Sequence, residues 1–165
     1  MSDQGSDLTE GPLDIKFSSH ATIDTLDSEK SRKFYEEFLG FEVIRTSPIS
    51  LLLRLGGDHT IACVEVKDKE PMGMLNHNGL DVPTKADVDA AHAKATAQQE
   101  KWGIKKITRP LDQHGTYCFF MLDPDDNWWE VLTNPTGGYS WMFVRGDQEG
   151  RGHLDKDFER PKETL

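Results

Sequence analysis

Short apolar runs follow the same order in both halves of this chain: a strand, a helix and three further strands. In the first half, Phe34, Phe38 and Leu39 recur at helical spacing between strand-like stretches, with Asp27 as N-cap and Gly40 as helix stop. The elements predicted for this half are a strand near Lys16–Asp24, a helix near Ser28–Leu39, and strands near Phe41–Arg45, Ser50–Leu55 and Thr60–Val66.

The second half repeats this order. Thr84, followed three residues later by Asp87, has the pattern of a capping box, and the helix that it begins ends at Gly103. The predicted strands of this half lie near Leu75–Val82, Ile104–Thr108, Gly115–Leu122 and Asn127–Leu132. We therefore expect an α+β fold of two βαβββ modules, residues 15–68 and 73–134, with residues 1–14 as a mobile tail and 135–165 as a C-terminal extension.

Composition narrows the class of protein. Hydrophobic residues make up 36% of the 165 residues, which suits one domain with a real core, and no run is long enough to span a bilayer. The formal net charge of −10 argues against nucleic acids and anionic membranes as partners. Cys63 and Cys118 both lie in apolar strand-like segments, so we expect core thiols in a reduced, cytoplasmic protein.

Candidate chemistry lies at equivalent places of the two halves. His20 opens the first strand of one half and His77 that of the other, while Glu130 lies in the last strand. Two imidazoles and a carboxylate form a ligand set that leaves positions open on a divalent metal. Glu65 ends the first half as Glu130 ends the second, so it is either a fourth ligand or a solvated strand carboxylate. If Glu130 points into a cleft, strand alternation predicts that Trp128 does too and that Trp129 points away.

The chain resembles the vicinal oxygen chelate superfamily, which includes glyoxalase I, bleomycin-resistance proteins, methylmalonyl-CoA epimerase and extradiol dioxygenases. The matching stretches are His20 through Phe34-Tyr35 to Leu39-Gly40-Phe41, then His77 to Val82, and Asp123-Pro124-Asp125-Asp126-Asn127 leading to Glu130. The resemblance implies an incomplete barrel of two modules around a metal cleft and a homodimer. It places His20, His77 and Glu130 on metal-ligand positions and Glu65 where glyoxalase I carries a fourth ligand.

Three functions follow as hypotheses. The first is a ring-cleaving, extradiol-type dioxygenase with Fe(II) or Mn(II), acting on a small aromatic diol. Phe120 and Trp128 would line the substrate pocket. Extradiol relatives carry a tyrosine ten residues before the ligand glutamate, where this chain has Phe120, so Tyr117 or His114 is the candidate substitute. His114 is also a candidate proton shuttle.

The second hypothesis is a lyase or isomerase of glyoxalase or epimerase type with Zn, Ni or Co, in which Glu130 or Glu65 moves a proton. The third is a non-enzymatic drug-binding protein of the bleomycin-resistance sort.

Overall fold

Two mixed β-sheets of similar topology form the protein. The computed structural model describes residues 12–13, 15, 17–113, 115–134, 138–155 and 157–158. The elements of the first module are β1 (His20–Thr25), α1 (Ser28–Lys33), a π-helical turn (Phe34–Phe38), β2 (Glu42–Ser47), β3 (Ser50–Arg54) and β4 (Thr60–Glu65). Those of the second are β5 (His77–Asp81), α2 (Lys85–Ala97), α3 (Gln99–Trp102), β6 (Lys106–Ile107), β7 (Leu111–Gln113), β8 (Thr116–Leu122) and β9 (Trp128–Thr133).

The strand order is equivalent in the two sheets. The first sheet runs β1-β4-β3-β2 and the second β5-β9-β8-β6, with β7 paired to β8. In both sheets the opening strand lies parallel to the last strand of its module, while the other pairs are antiparallel. This confirms the predicted α+β fold of two βαβββ units. Closure of the sheets into an incomplete barrel around a metal is not shown.

Each helix forms where its capping residues predict. Asp27 accepts a hydrogen bond from Lys30 N at the start of α1, and Thr84 and Asp87 form a complete capping box at the start of α2. The first predicted helix changes from α to π at Phe34, and the second is interrupted after Ala97 before α3 ends at Gly103, which has φ +66°. The sequence did not indicate β7, whose residues Leu-Asp-Gln carry no apolar alternation.

One core joins the two modules through an aromatic cluster. Trp129 of β9 is fully buried, with its ring centroid 5.7 Å from that of Tyr35 and 5.6 Å from that of Phe41. Tyr35 and Phe41 come from the first module, so packing of this kind fixes one module against the other.

The turn before β9 anchors the end of β1. Asp125 accepts hydrogen bonds from Leu26 N and Thr25 Oγ1, both at 3.0 Å, and Asn127 Nδ2 donates to Asp24 O at 3.0 Å. The C-terminal end of β1 therefore lies beside the start of β9.

The chain continues beyond the sheets in a short helix, α4 (Ser140–Arg145), and a 3₁₀ turn at Gly152–Leu154. Most of the predicted tail, residues 1–11 and 14, lies outside the described residues. Among the residues that the structure describes, no helix has the length and apolar character required to cross a bilayer.

Candidate functional site

The candidate site is one face of the second sheet, called here the Glu130 face. Strand register places on it the alternate side chains of three strands: His77, Gly79 and Asp81 of β5, Trp128, Glu130 and Leu132 of β9, and Cys118, Phe120 and Leu122 of β8. Glu130 is only 5% exposed among these mainly apolar neighbours. A buried carboxylate requires a partner, and the structure supplies one.

That partner is His77. Its Nε2 lies 3.2 Å from Glu130 Oε2, and its Nδ1 lies 2.7 Å from the carbonyl oxygen of Met74. A carbonyl oxygen only accepts, so Nδ1 carries a proton and donates it to Met74. Nε2 then faces an acceptor oxygen, and the two electron-pair donors need a positive charge between them: a shared proton or a metal cation.

The pair meets the requirements of a metal half-site. Ligand bonds of about 2.1 Å at tetrahedral or octahedral angles place two donor atoms about 3.0–3.4 Å apart, which matches the separation of Nε2 and Oε2. A metal-binding histidine typically donates its other N–H to a carbonyl or carboxylate, as His77 does to Met74. The chemistry and spacing of these two side chains therefore fit a divalent metal.

Aromatic side chains surround the pair. Phe120 lies directly opposite Glu130 in the strand register, and its ring centroid is 5.0 Å from that of His77. Trp128 shares this face and donates from Nε1 to Met72 O at 3.0 Å. Phe120 and Trp128, the two predicted pocket residues, thus both lie beside the pair. Trp129 points to the other side as predicted, but helices cover that side, so its ring is in the core rather than exposed.

His20 lies on the first sheet, apart from the pair. It is exposed, and its Nδ1 is 2.8 Å from Ser19 Oγ. Strand β1 comes close to β9 at its C-terminal end, where Asp24 accepts a hydrogen bond from Asn127. His20 lies at the other end of β1, four residues and about 13 Å from Asp24 along the strand. Within the described ranges, no three His, Cys, Asp or Glu side chains are placed to hold one metal ion.

The structure separates Glu65 from the other candidates. Register pairs Thr25 with Glu65 and His20 with Thr60, so Glu65 is on the face of the first sheet opposite to His20. Glu65 Oε2 accepts a hydrogen bond from Ser28 N, at the start of α1, at 3.0 Å. Hydrogen bonding from Ser28 lowers the pKa of Glu65. The position in the first sheet that corresponds to Glu130 by register is Ala62, which has no ligand atom.

The candidate acid–base residues are not brought to the pair. Tyr117 lies on the opposite face of β8, where its hydroxyl donates to Asp89 Oδ1 at 2.8 Å and this bond raises the pKa of Tyr117. His114 lies outside the described residues.

Sequence reasoning missed a polar group at the other end of the Glu130 face. Tyr139, from the C-terminal extension, lies beside Thr116 and Asn134, and burial together with the negative charge of Glu130 raises the pKa of Tyr139. Burial also raises the pKa of Cys118, whose thiol interacts with Glu130.

Asn134 could have been found from the sequence. Continuing the alternation of β9 from Glu130 by four residues places Asn134 on the same face as Glu130.

The family follows from sequence comparison. Residues 18–131 match the family model described as the Glyoxalase/Bleomycin resistance protein/Dioxygenase superfamily. The chain belongs to this superfamily. Its members include metal-dependent enzymes and non-enzymatic binders of small molecules. A search of curated proteins finds no match.

Solved structures show the same fold. A glyoxalase/bleomycin resistance protein/dioxygenase from Nocardioides is 20% identical, with 82% of this chain and 91% of that chain covered and a TM-score of 0.59. The fosfomycin resistance protein FosX from Listeria monocytogenes is 19% identical, with coverage of 79% and 98% and a TM-score of 0.58. A lactoylglutathione lyase from Agrobacterium tumefaciens is 17% identical, with coverage of 73% and 95% and a TM-score of 0.54.

Proposed function

We propose that this chain is a metal-dependent enzyme of the superfamily, of the ring-cleaving dioxygenase type, acting on a small aromatic diol. The observation that carries the proposal is the His77–Glu130 pair. Nδ1 of His77 donates a hydrogen bond to Met74 O, so the other ring nitrogen, Nε2, faces a carboxylate oxygen of Glu130 at 3.2 Å. Fe(II) or Mn(II) is the favoured metal for two imidazoles and one carboxylate.

We propose His20 of a second copy as the third ligand. His20 and His77 are equivalent by register, since His20 pairs with Thr60 of β4 as His77 pairs with Trp128 of β9. The face of the first sheet that bears His20 also carries Ile44 and Leu52, and the Ile44 side chain is 52% exposed. A second copy that packs its Glu130 face against this open face would bring the three ligands together and cover exposed apolar surface.

The residues of the site have separate roles in this proposal. His77 and Glu130 hold the metal, which as a Lewis acid would bind the two oxygens of a diol. Phe120 and Trp128 provide flat apolar surface for the ring. The buried setting of Glu130 excludes water from the reacting end of the substrate.

The position of Glu65 supports the dioxygenase type over the glyoxalase type. A fourth protein ligand from Glu65 would require its side chain to leave Ser28 N and cross to the other face of the sheet. A site with three protein ligands keeps more positions open for a chelating substrate and oxygen.

Metal content and oxygen uptake test the proposal together. The protein is purified, loaded anaerobically with Fe(II) or Mn(II), and mixed with catechols in an oxygen electrode. We expect stoichiometric metal and oxygen consumption by the unmodified protein, and a loss of both of at least about tenfold in His77→Ala and Glu130→Gln. His92→Gln is the matched control, because His92 lies on α2 against Phe119, on the other side of the sheet.

The outcomes separate the three hypotheses. Bound iron or manganese with oxygen uptake on catechols supports the dioxygenase. Bound zinc, nickel or cobalt with turnover of a hemithioacetal and no oxygen uptake supports the lyase or isomerase. The drug-binding protein is supported if neither the unmodified protein nor His77→Ala retains metal and both bind small molecules equally well.

A further inference from the structure

Asn134 presents an unsatisfied donor at the end of the Glu130 face. Its side chain is only 6% exposed, and Nδ2 makes no hydrogen bond of normal geometry to the residues that the structure describes. The amide orientation is set by Trp141, whose Nε1 donates to Asn134 Oδ1 at 3.4 Å. A buried donor without a well-aligned acceptor is costly, and a bound molecule that supplies one would remove this cost.

An acceptor lies next to this donor. Asp81 is on the same face, at the end of β5, and its carboxylate interacts with the Asn134 side chain. Asp81 is exposed, so it remains accessible to a ligand. The C-terminal extension closes this end of the face, because a Cβ placed on Gly138 would lie 3.3 Å from Asp81 Oδ2. Donor and acceptor are therefore held together at one end of the site.

This polar end and the His77–Glu130 pair lie along one strand. Asn134 follows Glu130 by four residues with the same alternation, a distance of about 13 Å between their Cα atoms. Side chains from both ends point to the same face, and the charge of Glu130 acts on Asp81 at the polar end. A catechol whose two oxygens bind the metal would extend its para substituent along this face toward Asn134.

We propose that Asn134 and Asp81 bind a neutral hydroxyl or carboxamide group at the end of the substrate remote from its chelating oxygens. This inference rests on the proposed function of the His77–Glu130 pair. A hydroxyl accepts from Asn134 Nδ2 and donates to Asp81, so it satisfies both groups at once. A carboxylate accepts from Asn134 but is repelled by Asp81 and Glu130, whereas a methyl group leaves Nδ2 unsatisfied.

Arg145 of the C-terminal extension is held by aromatic rings. Arg145 stacks on Trp141 with its Cζ 5.0 Å from the ring centroid, and it lies at the same distance from the Phe158 ring. The negative charges of Asp81 and Glu130 favour neutral substituents over anionic ones at Asn134.

Binding of three catechols tests the assignment without turnover. The probes carry a methyl, a hydroxymethyl or a carboxylate group para to one hydroxyl, and they are titrated anaerobically by calorimetry into the Fe(II)-loaded full chain. We expect the hydroxymethyl catechol to bind about tenfold more tightly than the methyl catechol. Asn134→Ala should abolish this difference, and Asn78→Ala is the matched control on the opposite face of β5.

A second variant separates recognition from folding of the extension. Trp141→Phe removes the hydrogen bond that orients the amide of Asn134 but keeps the amide itself, so the preference for the hydroxymethyl probe should decrease without disappearing. Survival of that preference in Asn134→Ala, its loss in Trp141→Phe, or tightest binding of the carboxylate probe overturns the assignment. Binding of all three probes with equal affinity overturns the assignment alone, whereas binding of none of them to the loaded protein also overturns the proposed function.

Discussion

At the residue scale, one backbone hydrogen bond gives His77 its chemical character. Because Nδ1 donates a hydrogen bond to Met74 O, the ring turns its other nitrogen toward Glu130. His20 has a hydroxyl, Ser19 Oγ, at the corresponding nitrogen, and a hydroxyl donates or accepts. The two histidines are equivalent in the repeat, but only His77 is committed to one tautomer by its neighbour within a single copy.

Glu65 gives a residue-scale prediction. Its pKa is lowered by Ser28, so its contribution to stability is present above the ordinary glutamate pKa of 4.5 and is lost as the pH falls through the lowered value. Glu65→Gln should therefore be less stable than the unmodified protein at neutral pH, and the difference should disappear in acid. Denaturant unfolding at a series of pH values measures this.

The same variant tests the ligand set. Metal content of Glu65→Gln should equal that of the unmodified protein, because Glu65 faces away from His20. Loss of metal in Glu65→Gln, with Glu65→Ala losing it equally, would show that Glu65 binds the metal after all.

At the element scale, the turn between β8 and β9 organises the molecule. Asp123 is fully buried and accepts from Tyr35 Oη at 3.0 Å and from Trp129 Nε1 at 2.9 Å, while its Oδ1 also accepts from Asn127 N. These bonds join the first helix to the strand that carries Glu130. The same few residues therefore shape the turn and set the direction of β9 beneath the site.

Asp126 in this turn gives an element-scale prediction. Its φ is +64°, a left-handed conformation that costs most side chains about 1–2 kcal/mol, and its carboxylate pairs with Lys105 Nζ at 2.6 Å. Asp126→Gly removes the conformational cost along with a partly exposed ion pair, so stability should change by less than about 1 kcal/mol. Asp126→Val should destabilise by at least about 1–2 kcal/mol.

Urea unfolding of both variants checks this prediction, with Lys105→Met as the control that removes only the ion pair. Equal destabilisation by glycine and valine would show that the ion pair, rather than the backbone conformation, holds the turn.

At the scale of the whole molecule, the open face of the first sheet is the equivalent of the Glu130 face. Register aligns Thr22, Ala62, Leu52 and Ile44 across this sheet, and Ile44 is half-exposed. Within one copy, the described residues include no group of three His, Cys, Asp or Glu side chains that could hold a metal ion. Association of two copies would complete both sites at once, as a twofold axis requires.

Complementation tests the shared site. In a mixture of His20→Ala and Glu130→Gln subunits, each mixed dimer has two sites. One site has all three ligands intact, and the other carries both substitutions. Random mixing should restore about a quarter of the metal and activity of the unmodified protein, whereas each variant alone should keep at most about a tenth. No recovery after refolding the mixture would place all ligands in one copy.

Interface disruption is the complementary test. Ile44→Glu introduces a charge on the open face and should shift the protein to a monomer in size-exclusion chromatography and lower its metal content in parallel. Ile49→Glu is the matched control, since Ile49 is similarly exposed but lies in the turn between β2 and β3. A dimer that persists in Ile44→Glu with full metal content would exclude this face.

The sequence by itself determined the two modules, because apolar periodicity, the caps at Asp27 and Thr84 and the stop at Gly103 are local signals. Alternation within β9 also determined that Glu130 and Trp128 share a face. The observed register of β8 against β9 then placed Phe120 beside them. Tertiary structure alone decided that Glu65 faces Ser28 and that His20 lies apart from His77. The sequence repeat aligned Glu65 with Glu130, but the register aligns Ala62 there, and a shift of an odd number of residues moves a side chain to the other face. Asn134 and Tyr139 come together only because the extension folds back on the sheet, a long-range contact that no local pattern encodes.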